Sequence, residues 1–265
     1  MRIVPTFFCL FLLWSCTAPE PTEAFSLDGD WIDLTYSFDE QTIYWPTADK
    51  FRLDTVAEGV TENGYYYSAF QFCAAEHGGT HLDAPVHFAE GKQSMDQIPI
   101  DRLIGPAVVI DISEKALANK DYLVNVSDFE EWEVTNGPLP EDVIVLLHTG
   151  YGKFWPDRES YMGTAEIGPE AVAKLHFPGL DPAAAQWLVD QRKIKAIGLD
   201  TPSIDYGQST LFESHQILFK ANIPAFENVA NLEKLPAKDA WVVALPMKIK
   251  EGSGGPLRIV ALIKD

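Results

Sequence analysis

The run His77-Gly78-Gly79-Thr80-His81-Leu82-Asp83-Ala84-Pro85-Val86-His87 gathers three of the chain's six histidines and one carboxylate within eleven residues. Offsets from His77 are four, six and ten, all even. Alternate side chains of an extended strand share a face. The spacing therefore predicts that His77, His81, Asp83 and His87 point the same way. A helix, turning ~100° per residue, would scatter Asp83 and His87. Gly78, Gly79 and Pro85 also disfavour a helix. Three imidazoles and a carboxylate suit a divalent metal such as zinc or manganese. A catalytic metal needs about three protein ligands and an open position for water, whose pKa it lowers toward neutrality. His77, His81 and Asp83 supply three ligands. His87 lies beyond Pro85 and reads instead as a proton carrier, because imidazole titrates near neutral pH.

Other residues offer weaker signals. His215 opens a predicted helix, and Glu227 follows the break at Asn222-Ile223-Pro224. Twelve residues apart, they would not meet on one straight helix, but a reversal at Pro224 could join them. His148 ends an apolar strand and His176 ends a helix; both read as structural. Asp200 and Asp205 follow a strand end, where acids often cap turns.

The elements that position these groups are legible in outline. Tyr65–Phe72, Ala107–Ile112, Val143–His148, Ala196–Leu199, Trp241–Leu245 and Leu257–Ile263 read as strands, β-branched or aromatic and bounded by Gly, Pro or Asp. Helices are expected at Asp128–Trp132 with Ser127 as cap, at Glu170–Leu175, at Ala183–Arg192 and at Ser214–Ala221. Strands and helices alternate without a strict βαβ rhythm, and no glycine-rich nucleotide loop is present.

With 265 residues, 46% of them hydrophobic, the chain can bury a substantial core as one domain. A net charge of −19 argues against a basic surface for nucleic acid or anionic lipid. Residues 1–15 read as a signal peptide: Arg2 precedes the apolar stretch Thr6 to Trp14, too short to span a bilayer. Leu13-Trp14-Ser15-Cys16 is similar to a bacterial lipoprotein cleavage box, which would make Cys16 the lipidated first residue of an exported, membrane-anchored protein. Residues 16–26 have the composition of a flexible tether. Residues 27–265 form the expected domain. Only Cys73 remains there, so no internal disulfide can form, and it reads as a small buried hydrophobe.

Residues His77 to His87 match every fixed position of His-x-Gly-Thr-His-x-Asp-x-Pro-x-His, the signature of the metal-dependent cyclase and kynurenine formamidase family. The stretches Trp31–Thr35, Ile43–Pro46, Leu147–Gly150, Phe177–Leu180, Gly198–Asp205 and His215–Leu232 also resemble family blocks. The resemblance implies an α/β fold of mixed α+β character, a single swivelling β/β/α domain, often in a homodimer or larger assembly. It implies that His77, His81 and Asp83 hold a first metal. Asp83 and Glu227 would bridge to a second, completed by His215, with one or two zinc or manganese ions per subunit. His87 would be the proton donor and acceptor, and Trp45 would lie against the substrate ring. The implied activity is hydrolysis of an aryl formamide such as N-formylkynurenine. Departures at Thr47-Ala48 and His148, and the export signal, leave room for a cyclic amide or lactone substrate, as in isatin hydrolases. A third reading is a non-catalytic metal-binding surface lipoprotein.

Overall fold

The computed structural model describes residues 28–264. The signal peptide, tether and Cys16 expected from the sequence lie outside the described residues. Among the described residues, twelve strands are β1 (Asp30–Asp33), β2 (Arg52–Val60), β3 (Tyr66–Cys73), β4 (His81–Asp83), β5 (Ile104–Asp111), β6 (Leu123–Val124), β7 (Ile144–His148), β8 (Gly179–Leu180), β9 (Ala196–Leu199), β10 (Ala225–Glu227), β11 (Ala240–Pro246) and β12 (Gly254–Ile263). Six α-helices accompany them among the same residues: α1 (Ser113–Ala118), α2 (Val126–Asn136), α3 (Arg158–Met162), α4 (Pro169–Val172), α5 (Pro182–Trp187) and α6 (Glu213–Lys220).

The main sheet runs β1-β12-β11-β5-β7-β9-β10-β4. β5, β7, β9 and β10 are parallel, and the flanking strands are antiparallel. The sheet is not left open. β4 pairs with β10 through Asp83↔Ala225 and with the start of β12 through Asp83↔Gly254. Three residues thus close the ring. The fold is mixed α/β, as the sequence leads one to expect. The parallel βαβ core was masked by the shortness of its helices.

Period-two alternation divides the apolar side chains between two cores. In β7, Ile144 and Leu146 face one cluster, with Leu82, Val109, Phe226, Val242 and Ile259. Val145 and Leu147 face the other, with Phe129, Trp132, Leu188 and Phe219 from the helices. A third cluster of Ile43, Tyr151, Tyr161, Met162 and Phe177 supports Trp45.

The structure corrects several local expectations. Helix α2 begins at Val126, and its cap is Asn125, not Ser127: the Asn125 side chain accepts from Ser127 N, and Asp128 accepts from Asn125 N at 2.8 Å in a capping box. Cys73 is exposed, not buried. It ends β3, which among the described residues pairs with β2 alone, in a two-stranded sheet separate from the main one. No helix among the described residues is long and apolar enough to cross a membrane.

Candidate metal centre and active site

The motif does not lie along one extended strand. Only His81, Leu82 and Asp83 are β-strand. There the parity argument holds: His81 and Asp83 share the site face, while Leu82 enters the core. His77 sits in the loop before β4, and His87 ends a short 3-10 turn over Pro85–His87. Glycine makes the first bend. Gly79 has φ +58°, and a Cβ there would come 2.7 Å from the Phe38 ring. Pro85 starts the second.

The four side chains nonetheless converge, because the bends fold the ends of the motif back over β4. Asp83 is the centre. Its Oδ1 lies 2.7 Å from His77 Nδ1 and 3.1 Å from His81 Nε2. Its Oδ2 lies 3.4 Å from His215 Nε2 and 4.0 Å from His87 Nε2. The His87 ring stacks on His77 with centroids 3.8 Å apart. Glu227, from β10, brings Oε2 to 3.4 Å from His81 Nε2 and Oε1 to 3.2 Å from His215 Nε2. The reversal after α6 does bring His215 and Glu227 together.

Backbone and side-chain partners orient the rings. His81 Nδ1 donates to Gly79 O at 2.9 Å, which turns Nε2 inward. His215 Nδ1 meets Asp205 Oδ2 at 2.5 Å, and Asp205 also accepts from the backbone of Ser214 and His215. Asp205 is thus part of the site's support. Asp200 instead receives Thr149 N–H and Oγ–H away from the cavity. His148 pairs with Asp111 and His176 with Asp121, also outside it.

The electrostatics follow from burial and crowding. Burial alone would push Asp83 up, but His77, His215 and His81 outweigh it and hold the carboxyl well below its ordinary range. Burial and the Asp83 charge raise Glu227. Burial pulls His215 and His81 down, yet their carboxylate partners prevail and raise both. His87 behaves oppositely: burial, with the neighbouring imidazoles adding, overcomes Asp83 and pushes it down to about 4. It is therefore neutral at pH 7.

This donor set fits a divalent cation. His81 Nε2 is buried without a hydrogen-bond partner, a costly state unless something else accepts its lone pair. Among the described residues, two groups bring donor atoms within 4.8 Å of one another: His77, Asp83 and His87, and His81, Asp83 and Glu227. Asp83 belongs to both.

The cluster forms the floor of a cavity of about 310 Å³ that all seven expected site residues line. Trp45, Phe88 and Phe212 wall it, with Trp45 and Phe212 edge-to-face at 6.4 Å and Phe88 and Phe212 at 5.1 Å. No Lys or Arg lines it among the described residues. Sequence spacing missed Phe212, Glu76 and Ser253, and read Asp205 only as a turn cap, without its bond to His215. Phe88, directly after His87, carried the clearest unused signal.

A family model described as "Putative cyclase" matches residues 32–206. The chain belongs to the cyclase family. It is 33% identical over 209 residues to isatin hydrolase of Roseibium aggregatum, covering 76% of this chain and 77% of that one. It is 28% identical over 233 residues to kynurenine formamidase of Bacillus cereus, covering 88% and 97%. Among solved structures, isatin hydrolase A from Labrenzia aggregata bound to benzyl benzoate superposes with a TM-score of 0.80 at 31% identity, covering 89% of this chain and 94% of that one. The chain is a cyclase-family hydrolase. His215 and Glu227 lie beyond the stretch matched by the family model, yet the fold delivers both to the same floor.

Proposed function

We propose that the protein hydrolyses a compact, uncharged amide fused to or carried on an aromatic ring, a cyclic aryl amide of the isatin type. One observation carries this reading: an aromatic-walled cavity with no lysine or arginine among the described residues, floored by a histidine–carboxylate cluster. A substrate with an amino-acid head would bring a carboxylate for which the cavity wall offers no lysine or arginine partner, a costly burial. The identity to isatin hydrolase supports the same choice. An aryl formamide such as N-formylkynurenine is the second reading, favoured by the near-complete length match to kynurenine formamidases.

His77, His81 and Asp83 would hold a divalent cation, zinc or manganese by the chemistry of imidazole and carboxylate donors. Glu227 and His215 would hold a second beside Asp83. Such a cation activates water at neutral pH and polarises a carbonyl oxygen. The chain's own groups do the rest. Trp45, Phe88 and Phe212 hold the ring and exclude bulk water. Neutral His87 takes a proton from the attacking water and returns it to the departing nitrogen. Glu227 and Asp83 supply negative charge that balances the cation.

The test is hydrolysis of isatin, N-formylkynurenine and an aliphatic amide by the full chain, before and after chelation and with zinc or manganese restored. Turnover of isatin above the others, lost on chelation and regained, is the expected result. A preference for the formamide would select the second reading, and turnover indifferent to chelation would overturn both.

We also propose that Cys16 is lipidated after removal of residues 1–15, so that the enzyme is exported and anchored to a bacterial membrane only through that lipid. Labelled fatty acid should enter the wild-type chain and not Cys16→Ser. Two copies are proposed to associate, with no nucleic-acid partner.

A further inference from the structure

His77 is seated by residues that no part of the motif contains. Its Nε2 lies 3.0 Å from Ser253 Oγ. Ser253 Oγ in turn lies 2.6 Å from Glu76 Oε2, which also accepts Ser253 N–H at 3.0 Å. On the other side of the ring, Nδ1 meets Asp83 Oδ1 at 2.7 Å. The proton count in this chain is constrained. A hydroxyl has one proton, and an ionised carboxylate can only accept. The Ser253 proton therefore goes to Glu76, and Ser253 receives a proton from His77 Nε2. An imidazole that ligates a metal keeps one N–H; with that proton held on Nε2 by Ser253, the lone pair offered to a cation beside Asp83 is that of Nδ1.

The backbone enforces the same pose. Gly254 follows Ser253 and pairs with Asp83 across the sheet closure. A Cβ at Gly254 would come 2.5 Å from His77 Cε1. The ring therefore lies against bare backbone on one side and against His87 on another. Ala84 N–H to Ser253 O, at 2.8 Å, ties the Ser253 segment to the end of the motif.

We propose that Glu76 and Ser253 are positioning residues that lock the orientation and tautomer of His77, presenting Nδ1 to the divalent cation. Groups that hold a ligand's second nitrogen commonly govern metal affinity as strongly as this. The inference rests on the reading of His77 as a metal ligand and adds the means by which its ligating atom is chosen.

The test uses the full chain, freed of metal and titrated with Zn²⁺ by calorimetry, together with long-range ¹⁵N NMR of the histidine rings in the Zn²⁺-loaded protein. Ser253→Ala and Glu76→Ala are each expected to weaken Zn²⁺ binding by about 10- to 100-fold. Glu76→Gln, which keeps an oxygen for Ser253, should recover most of the loss. In the loaded wild type, His77 should carry its proton on Nε2. A purely structural role would lower the unfolding midpoint while leaving affinity and the His77 ring signature unchanged. Wild-type affinity in both alanine variants, or a proton on Nδ1 in the loaded wild type, would overturn the inference alone. Wild-type protein that binds no Zn²⁺ would overturn the metal reading along with it.

Discussion

His87 and His77 stack ring on ring, yet their surroundings assign them different work. His77 has partners on both nitrogens. His87 has only a distant carboxylate, 4.0 Å away, and burial keeps it neutral. His87→Ala should therefore retain bound metal, measured by elemental analysis, while turnover falls by about 10²–10⁴-fold, the range for a lost acid–base group. Wild-type turnover would remove His87 from the reaction. All seven expected site residues lie on one cavity; the chemistry of His77, His81, Asp83 and His87 was readable from type and spacing in the motif, whereas His215, Glu227 and Trp45 gained their roles from the family resemblance. Ser253 was not readable, because ring closure brings it to His77 from 176 residues along the chain, and Glu76, though next to His77, bears on it through Ser253.

Parity along a strand was a sound argument applied over too long a stretch. It holds for His81 and Asp83 inside β4 and fails at Gly79 and Pro85, where the chain leaves extended geometry. Long apolar strands such as β7 were legible because burial on both faces demands continuous hydrophobic runs. β2 was not recognised, because its Asp, Glu and Gly interrupt any alternation. Between helices, Glu133 on α2 receives both Arg192 Nε at 2.7 Å and Arg192 Nη2 at 2.8 Å. Those donors hold the Glu133 carboxyl below its ordinary range. A carboxyl depressed on folding adds stability above its unfolded pKa of about 4.3 and loses it as pH falls through the folded value. Glu133→Gln should then cost up to about 1 kcal/mol at pH 7. The cost should shrink steadily below pH 4, as read from urea unfolding at each pH. A cost independent of pH would assign the effect to shape and not charge.

At the scale of the molecule, the β2–β3 hairpin exposes Leu53, Val56, Val60, Tyr66, Tyr67, Phe70 and Phe72, with Tyr65 at its turn. Isolated two-stranded hairpins are marginal in water. Roughly 100 Å² of apolar surface per side chain gives about 800 Å², the share each partner buries in a standard interface. The proposed pairing of two copies through this hairpin predicts that Tyr67→Asp with Phe70→Asp lowers the sedimentation coefficient to that of a monomer; an unchanged coefficient would overturn that contact. Stripping the metal should lower the thermal midpoint, since a ligand at a hundred times its Kd contributes about 2.7 kcal/mol, and scanning calorimetry with and without chelator reads this directly. The ring closure carries one more consequence. β4 is made about 170 residues before Ser253, Gly254 and their strand. A nascent chain therefore carries His81 and Asp83 through all of that synthesis without the clasp that seats His77, so ion capture waits for ring closure and belongs to whichever compartment the sheet closes in.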